Sequence, residues 1–215
     1  MVSLLALAQG HEKVTLALIT LLPVFLFYGL KFPLLTLFIP CLLLLLAGHL
    51  FFFRDPNREV AVNSQLVLSP ADGSVYEIDV SNGVIKIRMS LFNVHVTRTP
   101  VSGKITSINY QDGKHWPFVS FIRSGTDENA RQTIHIENST GDFLVVQIVG
   151  ILARRCMSFF SPGDQVQQGE RLGIIYYGSE VDVHFPPDKF EILVKRKSKM
   201  IAGQTPIAKL RGKLN

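Results

Sequence analysis

Four short segments of the chain hold residue types that could do chemistry. A serine hydroxyl becomes a useful nucleophile beside a base, and that base needs a group that orients it. A guanidinium fork can bind a carboxylate or a phosphate. Taken singly, each segment is also typical of plain structure, such as a turn at Asp-Gly or a strand end at Gly-Ser. The candidates are Asp72 in SPADGSV, His95 in FNVHVTRTP, Arg154 and Arg155 in GILARRC, and Gly178-Ser179 in YYGSEVDVHFPP.

Common cofactor and metal motifs are missing from the sequence. It contains no GxGxxG, no GxxxxGK[ST] and no HExxH, so dinucleotide, P-loop and zincin sites are not predicted. No two of the 6 histidines have a spacing common in zinc sites, and the 2 cysteines, Cys41 and Cys156, form no CxxC pair. We therefore expect neither a metal centre nor a disulfide framework.

The elements that carry these segments begin with a very apolar N-terminus. Of 215 residues, 47% are hydrophobic and only 18% are charged, and the mean hydropathy is +0.25. Two apolar runs, residues 14–30 and 32–53, are interrupted only by Lys31. At about 1.5 Å per helical residue the second run reaches roughly 33 Å, enough to cross a hydrocarbon core. The sequence therefore predicts a membrane-associated helical hairpin over residues 1–53.

The positive charges around the hairpin predict its orientation. Lys13 and Arg54 flank the outer ends, whereas Lys31 alone lies at the turn. The positive-inside preference then places both ends, and everything after residue 54, in the cytoplasm. Neither run ends in a small-x-small cleavage site, so a cleaved signal peptide is not favoured.

The remainder, residues 54–215, is predicted to be a β-rich catalytic domain. Short apolar or alternating runs are separated by turn signals such as Asp72-Gly73, Asn82-Gly83 and Asp112-Gly113. Such spacing predicts a mainly β fold, an antiparallel barrel or sandwich without long helices. The predicted strands lie at residues 75–80, 84–89, 104–110, 133–137, 143–149 and 172–178.

In combination, the segments resemble the phosphatidylserine decarboxylase proenzymes, in particular their short, membrane-associated class. The most specific segment is GDQVQQGERLGIIYYGSEVDVHFP (163–186), because the family's self-cleavage Gly-Ser follows a GDxVxxGExLG stretch in the same order. The other matching segments are FFRDPNR (52–58), SPADGSV (69–75), FNVHVTRTP (92–100), ENAR (128–131) and QIVGILARR (147–155).

The resemblance implies a pyruvoyl enzyme that cuts itself between Gly178 and Ser179. Ser179 would attack the preceding carbonyl, for which glycine offers the least steric hindrance. Elimination and hydrolysis would leave a pyruvoyl group at residue 179 and the fragments 1–178 and 179–215. By their match to the family motifs, His95 is the expected base and Asp72 the group that orients it.

The implied reaction is decarboxylation of phosphatidylserine to phosphatidylethanolamine and CO2, with the pyruvoyl carbonyl as electron sink. His95 is also the candidate proton donor. Some longer members carry a second histidine where this chain has Phe92, so no role for that histidine transfers here. The sequence leaves an archaetidylserine substrate open, because the lipid tails contact only nonspecific apolar surface.

Further expectations concern binding and assembly. Arg154 or Arg155 would bind the headgroup, although neighbouring side chains of a strand face opposite ways and only one is expected to reach it. His184 is a further candidate pocket residue. The partners implied are a phospholipid substrate and the cell membrane, with the catalytic domain on the cytoplasmic side. The two fragments should associate as a heterodimer, which in related enzymes commonly dimerises, and no nucleic acid is expected.

Two other classes of function remain open on the residues. Asp72, His95 and Ser179 could form an ordinary triad in a membrane-anchored hydrolase, although the GxSxG elbow is missing. Alternatively, the GDxVxxGExLG segment is similar to hairpins of noncatalytic binding modules, although no modifiable lysine occupies a hairpin turn. Chain cleavage separates the decarboxylase from both.

Overall fold

The computed structural model describes residues 12–114, 128–150, 156–176 and 179–212; for residue 179 it describes the backbone. The chain forms two compact units, the first ending at Asn57 and the second beginning at Arg58. The predicted assignment of residues 1–53 to a membrane hairpin and of 54–215 to a catalytic domain stays a prediction.

The first unit contains two apolar helices, α1 (Glu12–Gly29) and α2 (Phe38–Phe52), with a 3-10 helix (Pro33–Leu37) before α2. His49 Nε2 and Thr15 Oγ1 lie 3.1 Å apart, so the end of α2 meets the start of α1 and the helices run antiparallel. By length and composition, segments Glu12–Gly29 and Pro33–Phe52 could each cross a membrane. The predicted helices are therefore confirmed, with Pro33 opening a 3-10 turn because proline suits the first turn of a helix.

The second unit is built almost entirely of strands. Their bounds are β1 (Leu66–Leu68), β2 (Gly73–Asp79), β3 (Val84–Arg88), β4 (Val96–Arg98), β5 (Gly103–Gln111), β6 (Arg131–Asn138), β7 (Gly141–Val149), β8 (Cys156–Ser158), β9 (Gln165–Val166), β10 (Arg171–Ile175), β11 (Ser179–His184), β12 (Phe190–Ile192), β13 (Lys199–Met200) and β14 (Pro206–Leu210). A strand lies at each of the six predicted segments, although β10 ends at Ile175 and residues 177–178 of the last segment lie outside the described residues. The mainly β, antiparallel fold class is confirmed.

The described strands form three antiparallel sheets. The largest is a curled half-barrel with eight strands in the order β13-β2-β3-β11-β7-β6-β5-β9. The two smaller sheets have the orders β4-β10-β8 and β1-β14-β12. Strand β11 lies near the middle of the large sheet, with β3 on one side and β7 on the other.

Alternation along the strands of the large sheet creates its core. In β11 the buried residues Val181 and Val183 alternate with the polar residues Glu180, Asp182 and His184. Each large apolar side chain taken out of water contributes about 1.5–3 kcal/mol. The same core face carries Ile85 and Ile87 of β3, Phe143 and Val145 of β7, and Ile134 and Ile136 of β6.

Candidate active site

Asp72 lies in a tight connection between β1 and β2, at the predicted Asp-Gly turn. Ser69 Oγ donates to the Ala71 carbonyl oxygen at 2.8 Å, which closes the turn before Asp72. Gly73 has a φ of +148°, and a Cβ there would collide with the Arg88 carbonyl oxygen. Glycine at this position therefore lets β2 approach β3 directly after Asp72.

The Asp72 carboxylate is buried and accepts hydrogen bonds from three parts of the second unit. Arg58 donates to both oxygens, through Nη1 at 2.7 Å and Nη2 at 2.9 Å. The backbone N–H of Ala202 donates to Oδ1 at 2.8 Å, and that of Val94 approaches Oδ2 at 3.4 Å. The aspartate thus joins the chain at 58, 94 and 202 in one network.

Arg58 is a residue that we did not predict as part of the site. Its side chain is only 8% exposed, and besides binding Asp72 it donates to the Ala202 carbonyl oxygen at 2.8 Å. The signal was present in the sequence, because Arg58 ends the FFRDPNR segment that carries part of the family resemblance. A buried bidentate ion pair of this kind fixes the orientation of the carboxylate.

His95 is fully buried immediately before β4. Its carbonyl oxygen accepts a hydrogen bond from the Ile175 N–H at 3.2 Å, and Val96 pairs with Ile174. Ile175 ends β10 three residues before Gly178. The β4-β10-β8 sheet therefore joins the backbone of His95 to β10, the strand that leads into the Gly178-Ser179 segment.

The predicted role of Asp72, to orient His95 by accepting a hydrogen bond from its imidazole, stays a prediction. Among the described residues, the Asp72 carboxylate accepts hydrogen bonds from Arg58, Ala202 and Val94. Because Val94 directly precedes His95, the carboxylate holds the backbone on which the imidazole is carried. Asp72 is thus placed to position His95 through the chain.

Residue 179 is the first residue of β11, opposite Val149 of β7. Gly178 lies outside the described residues, so the structure leaves the predicted cleavage bond untested. The register continues with Glu180 paired to Ile148 and to Arg88 of β3. The backbone at residue 179 therefore begins a strand that is hydrogen-bonded on both sides.

The residue next to position 179 is held by an ion pair in which the carboxylate is buried and the arginine side chain is 31% exposed. Glu180 is 1% exposed and accepts from Arg88 Nε at 2.8 Å and from the Tyr76 hydroxyl at 2.9 Å. The Arg88 guanidinium also lies 4.5 Å from the centre of the Tyr76 ring. Burial raises the pKa of Glu180, while Arg88 opposes that shift. Burial, with Glu180 beside it, likewise raises the pKa of the Tyr76 hydroxyl.

Asp182 is a second buried carboxylate on the polar face of β11. Its side chain lies near Lys86, Glu180 and Arg131, and Oδ1 accepts no hydrogen bond from the described residues. Burial raises the pKa of Asp182 to about 7. Sequence reasoning missed both buried acids, because Glu-Val-Asp-Val is the ordinary pattern of a strand with one solvated face.

Of the other predicted binding residues, Arg154 and Arg155 lie outside the described part of the chain, and His184 lies far from residue 179. His184 ends β11, about 17 Å from residue 179 at the usual rise of a strand. It lines a separate cavity of about 500 Å³ with His135, Glu137 and Asp142 among its walls, and burial lowers its pKa.

Among the described residues no group of three or more histidine, cysteine, aspartate or glutamate side chains could hold a metal ion. The site geometry instead combines a buried histidine, a clamped aspartate and a strand start fixed in a sheet. A histidine can transfer a proton, and a fixed carboxylate and a fixed strand start can hold neighbouring groups in position.

Comparison with known proteins decides the family. The model of the phosphatidylserine decarboxylase family matches residues 46–208. The chain belongs to this family. The match includes the decarboxylase segments that carry Asp72, His95 and Gly178-Ser179.

Individual relatives agree with the phosphatidylserine decarboxylase family match. The chain is 40% identical over 175 residues to the phosphatidylserine decarboxylase proenzyme of Rickettsia rickettsii, covering 75% of this chain and 74% of that protein. It is 36% identical over 171 residues to the proenzyme of the same name from Carboxydothermus hydrogenoformans, covering 75% and 79%. It is 44% identical over 160 residues to a Methanosarcina barkeri protein named "Putative archaetidylserine decarboxylase proenzyme", covering 74% and 76%.

Proposed function

We propose that this protein is a pyruvoyl-dependent decarboxylase that converts phosphatidylserine to phosphatidylethanolamine and CO2 after cutting itself between Gly178 and Ser179. The observation that carries the proposal is the family match over residues 46–208, because it spans the cleavage segment together with Asp72 and His95. The buried setting of those two side chains supports it.

Self-cleavage needs only groups of the chain and one water. The Ser179 Oγ attacks the Gly178 carbonyl carbon, and the peptide C–N bond breaks to give an ester and a free amine at residue 179. Elimination then breaks the Cβ–O bond, releases Gly178 as a carboxylate and leaves a double bond at residue 179. Addition of water and loss of ammonia convert that residue to a pyruvoyl group.

His95 is proposed to take the proton of the Ser179 hydroxyl. A histidine is the usual general base near neutral pH. Its fully buried position excludes competing water, and the Ile175 hydrogen bond holds its backbone beside the strand leading to the cut. Asp72, fixed by Arg58, is the residue that we propose orients it.

The two fragments are proposed to remain one folded unit. The 179–215 piece supplies β11 to the middle of the large sheet, β13 to its edge, and β12 and β14 to the sheet that contains β1. The Ala202 N–H on Asp72 adds a buried contact between the pieces. Among the described strands, separating them would break four pairings: β11 with β3, β11 with β7, β13 with β2, and β14 with β1.

The described residues fit a pyruvoyl group at position 179. The strand ladder and the Glu180–Arg88 pair hold the new chain end in place, so little motion remains to be frozen when substrate binds. When formed, that carbonyl supplies an electron sink for decarboxylation. His95 is proposed to deliver the proton that replaces the departing carboxylate, so that one proton is consumed for each CO2 released.

The membrane setting and headgroup contacts complete the proposal. α1 and α2 would place the enzyme at the bilayer that holds its substrate, with the second unit on the cytoplasmic side as Lys13 and Arg54 predict. Arg154 or Arg155 would bind the phosphate or carboxylate of the headgroup. The name of the Methanosarcina relative makes archaetidylserine the alternative substrate.

Intact-mass analysis of the full chain, with and without hydroxylamine, tests the proposal first. We expect fragments 1–178 and 179–215, the smaller shifted by hydroxylamine, and we expect Ser179→Ala to remain uncut. Ser81→Ala, in an exposed turn, is the matched control and should be cut like the wild type. His95→Ala and Asp72→Asn should also remain uncut.

Release of CO2 from vesicles that contain phosphatidylserine or archaetidylserine then identifies the substrate. Activity on one lipid alone assigns the glycerol backbone. A folded wild-type chain that stays in one piece would overturn the proposal.

A further inference from the structure

Two glutamine side chains share one rung of the large sheet beside residue 179. Gln132 of β6 pairs with Gln147 of β7, which in turn pairs with Val181 of β11. The next position of β11 on the same face is residue 179, because side-chain positions alternate along a strand. Diagonal neighbours of this kind are about 7–8 Å apart.

Both glutamines are buried, and each has a carbonyl oxygen that accepts no hydrogen bond from the described residues. Gln147 is fully buried and Gln132 is 8% exposed. The atoms concerned are Oε1 of Gln132 and Oε1 of Gln147. A buried polar oxygen without a partner costs about 1–3 kcal/mol, so its presence calls for an explanation.

The orientation of the Gln147 amide is fixed by a short chain of hydrogen bonds. Thr97 Oγ1 donates to the Gly173 carbonyl oxygen at 3.2 Å, so its hydrogen is already used. The same oxygen can therefore only accept, and Gln147 Nε2 donates to it at 2.7 Å. Because the NH₂ group must face Thr97, the carbonyl oxygen is the end of the amide that has no hydrogen-bond donor among the described residues.

An available acceptor of this kind selects a donor as its partner. The phosphate and carboxylate of a serine headgroup are acceptors, whereas its amine is a donor. The carboxamide carries no charge, so it can accept a hydrogen bond from an amine without raising the pKa of that amine. A carboxylate in the same place would raise the amine pKa. A neutral amine is the form that attacks a carbonyl carbon.

We propose that Gln147 Oε1 accepts a hydrogen bond from the amine of the serine headgroup and directs that amine to residue 179, with Gln132 adding a second acceptor to the same wall. This inference rests on the proposed function. It assigns Gln147 to the substrate amine and explains why an uncharged acceptor is buried there.

The test measures covalent capture of phosphatidylserine by the 179–215 fragment of the full chain, in vesicles with cyanoborohydride, by intact mass. Gln147→Met keeps the shape and removes the acceptor, and capture by its cut fraction should slow at least about tenfold. Gln168→Met is the matched control. Gln168 is also buried, at 4% exposed, but its oxygen accepts from the Asn63 N–H at 2.7 Å, so its loss should lower Tm and leave capture unchanged.

Gln147→Glu gives a second readout that a structural role would not move. It retains an acceptor but adds negative charge near the amine, so the pH at which capture reaches half its maximum should rise by about one unit or more. If Gln147→Met is not cut, the pH dependence of capture by Gln147→Glu tests the inference. If every Gln147 variant that is cut captures the lipid at the wild-type rate and with the wild-type pH dependence, the inference is wrong.

The controls separate this inference from the proposed function. A cut wild-type chain that captures the lipid amine but releases no CO2 would overturn the decarboxylase assignment and leave the role of Gln147 standing. Normal CO2 release with unchanged capture by Gln147→Met would do the reverse. An uncut wild-type chain would overturn both.

Discussion

Replacing Arg58 by methionine should both destabilise the second unit and slow self-cleavage. The change removes the two guanidinium hydrogen bonds to Asp72 and the bond to the Ala202 carbonyl oxygen. Among the described residues, it leaves the carboxylate, whose side chain is 12% exposed, with the backbone amides of Ala202 and Val94 as its donors. Methionine retains much of the apolar stem, so the lost charge dominates.

The magnitude follows from the burial of the pair. Removing one partner of a buried ion pair costs about 3–5 kcal/mol, and the two remaining amide donors favour the lower end. For a chain of this size, 1 kcal/mol shifts Tm by about 2–4 °C, so a loss of 3 kcal/mol predicts a fall of about 6–12 °C. Since Asp72 also holds the Val94 amide next to His95, cleavage should slow at least about tenfold.

Two assays separate these effects. Thermal unfolding is measured in the uncut Ser179→Ala background, and cleavage is followed in newly synthesised protein by the appearance of the 179–215 fragment. Lys114→Met is the control, because it breaks an ion pair with Glu128 that is exposed to solvent, and it should change neither quantity. Cleavage of Arg58→Met at the wild-type rate, despite the expected fall in Tm, would refute a positioning role for the clamp.

Three further changes test the sheet around residue 179. Burial raises the pKa of Asp182 from 3.8 to about 7, so the folded state keeps its proton longer than the unfolded state, and stability should fall by about 1.4 kcal/mol per pH unit between about pH 4 and 7. Asp182→Asn should flatten this slope and raise Tm at pH 8; an unchanged slope in Tm scans would contradict it. Arg88→Met should cost about 3 kcal/mol at neutral pH, the lower end of the range for a buried pair, because the Arg88 side chain is 31% exposed and the Tyr76 hydroxyl still donates to Glu180. Urea unfolding should show partial recovery in acid and in the double variant with Glu180→Gln. Gly73→Ala should cost at least about 2 kcal/mol in the same assay, because its φ of +148° and the Arg88 carbonyl leave no room for Cβ; a loss under about 0.5 kcal/mol would refute this.

The longer strands were predictable because their own residues specify them. Segments such as VIKIR in β3 and FLVVQIV in β7 are rich in β-branched residues and bounded by turn signals. Strands of two or three residues, such as β9 and β13, carry no such pattern. They exist because β5 and β2 offer them hydrogen-bonding edges, and that information is tertiary.

The candidate site was predictable to the extent that its motifs are local. Asp72 and His95 were selected from short segments, and the structure buries both. Arg58 was missed because its partner Asp72 lies fourteen residues away and only the fold brings the two together. Gln147 was missed because one polar residue in an apolar strand indicates nothing until the rung that it shares with Gln132 is known.

The central position of β11 determines whether cut fragments could exchange between enzyme molecules. A terminal fragment seated at a sheet edge could leave and be replaced by another, whereas β11 is flanked on both sides by β3 and β7. The 179–215 piece would therefore not exchange between molecules, and two inactive variants mixed after folding would yield no active hybrid. A polypeptide that failed to cut itself could not become active later by taking up a cut fragment from another molecule.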